Sequence, residues 1–219
     1  MIIYHGSKVK IDKPIKGGSR PYNDYGAAFY LTTDLELAKI WACKNETLGL
    51  VNKYYVNDRD YKNLKILDLT DKSKYSILNW IAILVHFKEL DYKTKYENEY
   101  ALKWLSQYYI DITEYDVVIG YRADDKYFRF PIHFLTNQLS LEDLEEVYAL
   151  GDLGIQYAFV SLRAINLLKF ESVIECDEKY IGQYYKKIKE ASNIYDILVN
   201  QHSNPDKTYI LDLIRRDHE

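Results

Sequence analysis

Short apolar runs, spread unevenly between segments of helical periodicity, constrain the fold of this chain more than any other feature of its sequence. Runs rich in β-branched and aromatic residues predict strands at 2–5, 28–31, 51–56, 64–69, 116–120, 156–161 and 168–176. Apolar residues spaced three and four positions apart predict a helix after Thr33 and Asp34 and further helices at 73–87, 97–109, 130–137, 140–150 and 179–200. Because the strands do not alternate strictly with helices, the pattern predicts an α+β fold.

Charge and hydropathy exclude several classes of protein. The chain has 29 Lys and Arg against 33 Asp and Glu, a net charge of −4, so no global positive field attracts nucleic acid or an anionic membrane. Its longest apolar run, Ile77 to Phe87, is shorter than the about 20 residues that a membrane span needs. The first residues lack the plan of a signal peptide. We therefore expect a cytoplasmic protein with no membrane partner.

The number and spacing of the cysteines also favour a cytoplasmic protein. Cys43 and Cys176 are too few for a disulfide framework and lack the spacing of metal ligands. We expect a reduced protein with no bound metal.

A histidine followed by a glycine ends the first predicted strand. The side chain of His5 beside the backbone of Gly6 can hold a ligand that carries an amide, because a planar ring approaches a glycine backbone closely. The alternative is a histidine with a purely structural role.

Two aromatic residues and a glutamine form the other candidate features. Tyr30 lies in a strand that follows a turn at Gly26, and Trp41 follows on the next helix, with ten residues between them. Residues so spaced can face each other and enclose a flat heterocycle, although both also suit a protein core. Gln156 heads a late strand, where an ordinary residue of a strand edge is the alternative.

Taken in order, these features resemble the three-motif layout of the ADP-ribosyltransferases. The segment His5-Gly6-Ser7, the strand with Phe29 and Tyr30, and the late strand with Gln156 match the branch of diphtheria toxin and poly(ADP-ribose) polymerase, whose signature is His, Tyr and Glu. The fuller series YHGS, DYGAAFYLT, AKIWA, ADD and the late glutamine is similar to a bacterial family of uncharacterised proteins often assigned to that fold.

The resemblance covers residues 2–172 and implies a domain organisation. It implies an ADP-ribosyltransferase-like split β-sheet core with flanking helices over residues 1–176. Residues 177–219 are then a C-terminal helical extension, which we expect to pack on the same domain.

The resemblance also implies a site for NAD, which would be the substrate. His5 would hydrogen-bond a ribose hydroxyl, and the backbone of Gly6 would hold the nicotinamide carboxamide. Tyr30 and Trp41 would bracket the nicotinamide ring by stacking. His5, Tyr30 and Gln156 would be the catalytic residues.

Two further residues are candidates for binding NAD. Arg20 lies in the loop between the first two motifs, and its planar guanidinium suits the pyrophosphate oxygens. Ser7 would support the adenosine ribose. A solvated charge and a turn hydroxyl are the respective alternatives.

The third motif departs from the signature, because Gln156 stands where the branch has a glutamate. Glutamine accepts the same hydrogen bond from the ribose but carries no charge and is no general base. Another residue would then have to act as the general base, and the candidates are Asp124 and Asp125, which follow a buried strand. The alternative for this pair is an Asx turn.

The resemblance therefore predicts an NAD-dependent mono-ADP-ribosyltransferase. It would cleave the nicotinamide–ribose bond and transfer ADP-ribose to a macromolecule, in the context of a bacterial toxin or effector with an antitoxin protein as partner. The alternative is a catalytically degenerate module that binds NAD, ADP-ribose or another protein.

Overall fold

The structure is a computed structural model that describes residues 1–18, 20–44, 47–88, 90–123, 128–149, 154–200 and 204–217. The strands within these ranges are β1 (Ile2–Ser7), β2 (Phe29–Leu31), β3 (Leu50–Tyr55), β4 (Ile66–Asp68), β5 (Val117–Tyr121), β6 (Ile155–Phe159) and β7 (Lys169–Glu175). The helices are α1 (Leu35–Ala42), α2 (Asp58–Lys62), α3 (Ile77–Phe87), α4 (Tyr92–Glu97), α5 (Glu99–Leu105), α6 (Arg129–Leu135), α7 (Leu141–Ala149), α8 (Leu162–Ile165), α9 (Gln183–Asn200) and α10 (Ile210–Arg216). The expected α+β class is confirmed.

The described strands form two sheets. One has the order β1–β3–β7 and is antiparallel, and the other has the order β2–β6–β5–β4, in which β4 and β5 run parallel. A single bridge between Tyr4 and Thr32 joins β1 to the residue that follows β2. Beyond this bridge, β1 and β2 diverge.

Side-chain alternation along the strands produces a layered core. Ile3, Tyr54 and Phe159 belong to a buried cluster between the two sheets. The opposite face of the first sheet packs against α1 through residues such as Val51 and Ala38. The opposite face of the second sheet packs against α3 and its neighbouring helices in the largest cluster. Because residues of a strand point alternately to its two faces, each strand serves two of these layers.

The C-terminal segment contacts the same core. Ile210, at the start of α10, is fully buried and belongs to the largest cluster. Trp104 Nε1 donates a hydrogen bond to Asp217 Oδ2 over 2.6 Å, which ties the end of α10 to α5.

Several sequence-based boundaries are wrong, including the start of the helix predicted at 179–200, which begins at Gln183. Three of the errors have a clear local reason. The first strand continues through Gly6 and Ser7, because both pair with β3. The predicted helix 97–109 is replaced by α4, which begins earlier at its cap Asp91, and by α5, because the backbone of Asn98 departs from helical geometry. The predicted helix 73–87 begins only at Ile77, after a turn in which Asp71 accepts the backbone N–H of Ser73.

Candidate functional site

A cleft of about 650 Å³ opens where β1 and β2 diverge, which is within the usual range of volumes for small-molecule sites. Six of the predicted site residues line this cleft: His5, Gly6, Arg20, Tyr30, Trp41 and Gln156. They come from one edge strand of each sheet, one helix, one loop and a late strand. Residues far apart in the sequence thus meet around one cavity.

The remaining predicted site residues lie elsewhere. Ser7 does not line the cleft, and its Oγ accepts a hydrogen bond from the backbone N–H of Val9 over 3.1 Å. This contact agrees with the turn alternative rather than with a role at the adenosine ribose. Asp124 and Asp125 lie outside the described residues.

His5 bridges the gap between the diverging strands. Its Nδ1 lies 2.7 Å from the carbonyl oxygen of Tyr30, and its ring stacks on Phe29 with ring centres 4.5 Å apart. Because a carbonyl only accepts hydrogen bonds, Nδ1 carries the proton and Nε2 is the acceptor. Burial lowers the pKa of His5 below 6.5, although the bond to Tyr30 opposes the shift. His5 is therefore a neutral hydrogen-bond acceptor at neutral pH.

Gly6 offers backbone groups to the cleft. Tyr4 exchanges two backbone hydrogen bonds with Thr32, of 2.8 and 2.9 Å, on the edge of β1 that faces away from β3. Residues two apart in a strand present their backbone groups to the same edge. The N–H and C=O of Gly6 therefore face the cleft, past the point where β2 has left β1.

The lack of a side chain at Gly6 also allows α1 to pack closely on β1. A Cβ atom at this position would lie 2.2 Å from the carbonyl oxygen of Ala38 and 2.8 Å from the backbone nitrogen of Ala42. The same close packing brings Trp41, on α1, to the cleft. Asp34 caps this helix by accepting the backbone N–H groups of Glu36 and Leu37.

Tyr30 uses its hydroxyl to hold the preceding turn. The hydroxyl donates to the carbonyl oxygen of Gly26 over 2.7 Å and accepts the backbone N–H of Tyr25 over 3.1 Å. Gly26 has a φ of +68°, which a residue with a side chain rarely adopts. Burial raises the pKa of Tyr30, so the hydroxyl keeps its proton. The hydroxyl therefore has a structural role, and Tyr30 borders the cleft.

The indole ring of Trp41 is in contact with Arg122. The guanidinium carbon of Arg122 lies 4.3 Å from the centre of the indole ring and 5.9 Å from the centre of the Tyr184 ring. Arg122 also lines the cleft. One face of the indole is therefore covered by a cation, a contact that the predicted sandwich of Tyr30 and Trp41 does not include.

Gln156 belongs to a buried polar group rather than to an open strand edge. Its Nε2 donates to Asp24 Oδ2 over 2.7 Å and to the carbonyl oxygen of Tyr121 over 3.2 Å. Asp24 Oδ2 also accepts the backbone N–H of Ala123 over 2.8 Å, and Lys88 Nζ lies 3.2 Å from Asp24 Oδ1. Burial raises the pKa of Asp24, and the ammonium of Lys88 opposes this rise.

Sequence reasoning missed Asp24, Lys88 and Arg122 as cleft residues. Asp24 is visible in the motif before Gly26, but its partners lie 64 and 132 residues further on, at Lys88 and Gln156. No spacing rule within the chain connects residues so distant. Arg20, in contrast, lines the cleft as expected and is exposed.

The cleft carries a cationic lining. Within the described ranges, four cationic side chains border it, those of Arg20, Lys44, Lys88 and Arg122, against one carboxylate, that of Asp24. Such a lining favours an anionic ligand. Among the described residues, no group of three or more His, Cys, Asp or Glu side chains is arranged to hold a metal ion.

Fold and cleft together define an α+β protein with a ligand-sized, cation-lined site at the junction of two sheets. The chain belongs to the family described as a protein of unknown function (DUF3990), whose model matches residues 1–170. None of the curated proteins and none of the solved structures matches the chain. No helix in the described ranges is both long enough and apolar enough to cross a membrane.

Proposed function

We propose that the protein is an NAD-dependent mono-ADP-ribosyltransferase. The observation that carries this proposal is the meeting of His5, Gly6, Tyr30 and Gln156 around one cleft, in the order that the ADP-ribosyltransferase signature requires. A core of two sheets that part at the cleft is compatible with the split-sheet fold of that family.

The nicotinamide end of NAD suits the inner part of the cleft. A carboxamide has one acceptor and one donor group, which match the N–H and C=O of Gly6. Nε2 of the neutral His5 ring would accept a hydrogen bond from a ribose hydroxyl. The ring of Tyr30 offers an aromatic face to the pyridinium, a contact worth about 0.5–1.5 kcal/mol.

The phosphates of NAD suit the cationic lining. Arg20 and Arg122 have planar guanidinium groups, which pair with phosphate oxygens in a bidentate manner. The guanidinium of Arg122 is held against the indole of Trp41, whereas Arg20 is exposed. We therefore assign the pyrophosphate to this side of the cleft, beside the indole.

The reaction breaks the bond between the nicotinamide nitrogen and the C1′ atom of ribose. The electron pair leaves with nicotinamide, positive charge develops on the ribose ring, and the acceptor forms a new bond at C1′ and loses a proton. Gln156 Oε1 would accept a hydrogen bond from a ribose hydroxyl and so orient the sugar. A neutral hydrogen bond of this kind contributes about 0.5–1.5 kcal/mol, against about 1.5–3 kcal/mol for a charged one.

Biological context is part of the proposal. By resemblance to the ADP-ribosyltransferases, the enzyme would be a bacterial toxin or effector that modifies a macromolecule in the cytoplasm and is neutralised by an antitoxin protein.

A catalytically degenerate module that binds NAD or ADP-ribose is the second candidate. Two observations favour it: Gln156 is uncharged, and the guanidinium of Arg122 covers one face of Trp41. Such a module would bind NAD, gain stability from it and release no nicotinamide.

Purified protein incubated with labelled NAD and a cell lysate separates the candidates. A transferase labels macromolecules and releases nicotinamide, and His5→Ala lowers both by at least about tenfold because it removes the ribose acceptor. His86→Ala is the matched control, since His86 lies on the exposed side of α3 and does not line the cleft. NAD binding without nicotinamide release supports the degenerate module, and free ADP-ribose without labelled macromolecules indicates a glycohydrolase.

A further inference from the structure

A buried carboxylate lies directly behind Gln156. The side chain of Asp24 is 9% exposed, lines the cleft and accepts hydrogen bonds from both Gln156 and the backbone of Ala123. Its ion pair with Lys88 is also buried, since the lysine side chain is 11% exposed. Burying such a charge is costly unless it is paired and hydrogen-bonded, and Asp24 meets both conditions.

The partners of Gln156 determine which end of its amide faces the cleft. Asp24 and the carbonyl of Tyr121 both accept hydrogen bonds, so the NH₂ group must point to them. The carbonyl oxygen Oε1 then points away from this pair. None of the described residues donates a hydrogen bond to Oε1, which leaves it as an acceptor for a ligand in the cleft.

The same geometry explains why position 156 carries no charge. A glutamate there would bring a second carboxylate to within 2.7 Å of Asp24 and beside the carbonyl of Tyr121. Two carboxyl groups at this distance cannot both ionise. Only one carboxyl group can therefore be ionised at this site, and that group is Asp24.

We propose that Asp24 is a positioning residue that acts through Gln156: its carboxylate orients the amide and supplies, one hydrogen bond further from the sugar, the negative charge that favours the developing ribose cation. This inference rests on the proposed function. It adds that the negative charge that stabilises the ribose cation is the carboxylate of Asp24. A fixed negative charge near developing positive charge lowers the barrier, because it needs no reorganisation during the reaction.

Asp24→Asn tests the charge without removing the shape. Asparagine keeps an oxygen that can accept from Gln156 and Ala123, but it turns its NH₂ group towards the ammonium of Lys88. A loss of activity beyond that of a control with a broken buried ion pair therefore reports the charge. We expect kcat for nicotinamide release to fall about tenfold while KM for NAD changes less than about threefold. Asp24→Asn combined with Gln156→Glu should recover at least half of the lost activity on a logarithmic scale, because the introduced carboxyl group is then free to ionise beside the ribose.

Gln156→Glu alone gives a second readout, in which both Asp24 and Lys88 are retained. Its two carboxyl groups share one proton, so its pH profile should gain an ionisation that the parent lacks. The groups that face Asp24 are the ammonium of Lys88, the guanidinium of Arg122 and the phenols of Tyr25 and Tyr30. All of them are present in every variant, so the added ionisation belongs to the carboxyl pair.

Asp143→Asn is the matched control for damage to a buried carboxylate. Asp143 is likewise buried, accepts a hydrogen bond from Ser140 and pairs with Lys207, but it does not line the cleft. We expect it to lower the melting temperature and to leave kcat unchanged.

The outcomes separate this inference from the proposed function. If the parent releases no nicotinamide, the proposed function is wrong and the inference falls with it. If the parent is active and Asp24→Asn keeps kcat within about twofold, or if the double variant is no better than Asp24→Asn, only the inference is wrong. Should Asp24→Asn fail to fold, a pH profile of Gln156→Glu identical to that of the parent overturns it.

Discussion

At the scale of single residues, the chemistry of the cleft is determined by hydrogen bonds to the backbone. The carbonyl of Tyr30 holds the proton of His5 on Nδ1, and the carbonyl of Tyr121 helps to turn the amide of Gln156. Neither side chain can adopt another orientation without breaking its hydrogen bond to a backbone carbonyl of a neighbouring strand. The polar atoms that these two side chains present to the cleft, Nε2 of His5 and Oε1 of Gln156, are therefore acceptors, as a ribose with its hydroxyl donors requires.

The lowered pKa of His5 predicts a loss of stability in acid. Below 6.5 the unfolded chain binds a proton on this residue before the folded protein does, so the free energy of unfolding falls as the pH drops. His5→Asn keeps a donor for the carbonyl of Tyr30 but does not titrate in this range. We expect the variant to lose less stability than the parent between about pH 7.5 and about pH 5, measured by urea unfolding.

His133 also has a pKa lowered by burial, but it is present in both proteins and cancels in the comparison. An identical acid dependence in parent and variant would contradict the assignment of His5 as a half-buried neutral acceptor.

The sequence was informative for residues whose role depends on near neighbours. His5, Gly6, Tyr30 and Trp41 were found as candidates because each lies in a recognisable local pattern. Asp24 was not, because its role comes from Lys88 and Gln156, which only the fold brings close. The same holds for Arg122, whose contact with Trp41 connects a loop to a distant helix.

At the scale of elements, the position of the cleft depends on close contact between β1 and α1. The strand presents Gly6 to the helix, and the helix presents the backbone of Ala38 and Ala42 in return. Because α1 lies so near, Trp41 reaches the opening beside His5. The glycine of the first motif thus has two functions, backbone access on one edge and helix packing on one face.

Gly6→Ala should destabilise the protein by about 1–3 kcal/mol, because its new Cβ overlaps helix backbone that has little freedom to move. Urea unfolding measures this loss. The matched control is Gly18→Ala, where the nearest atoms to a new Cβ lie 3.6 Å away. Equal stability of the two variants would contradict the close packing of Gly6 against α1.

Element boundaries followed the sequence where a buried face gives a clear period. Helix α3, with six buried side chains, was predicted to its last residue, Phe87. Helix α2 was missed, because none of its residues is buried and its sequence carries no apolar period. The break between α4 and α5 was missed because the conformation of Asn98 is a tertiary outcome rather than a local preference.

At the scale of the whole molecule, two sheets and the helices on their outer faces form three connected layers of core. The α+β class followed from the sequence, but the strand order did not. Pairing of β2 with β6 joins residues more than a hundred positions apart, and the bridge of Tyr4 to Thr32 joins the two sheets. Such long-range pairing leaves no periodic signal, which is why the arrangement of the strands in two sheets could not be predicted from the sequence pattern.

The C-terminal segment should contribute to the stability of the whole molecule. Ile210 is fully buried in the largest core cluster, and its neighbour Leu211 is 45% exposed. Ile210→Ala should cost about 2–5 kcal/mol in the free energy of unfolding, whereas Leu211→Ala should change it by about 0.5 kcal/mol or less.

Both substitutions shorten an aliphatic side chain in the same helix, so chemical denaturation of the pair isolates the effect of burial. Equal and small losses would mean that α10 does not belong to the core of the folded protein.

The most direct test of the account is a crystal structure of the protein grown with NAD. We predict that the nicotinamide carboxamide lies within about 3.2 Å of the N–H and C=O of Gly6, with a ribose hydroxyl at the same distance from Nε2 of His5. The account is contradicted if NAD at saturating concentration leaves the cleft empty, or if it binds without contact to either residue.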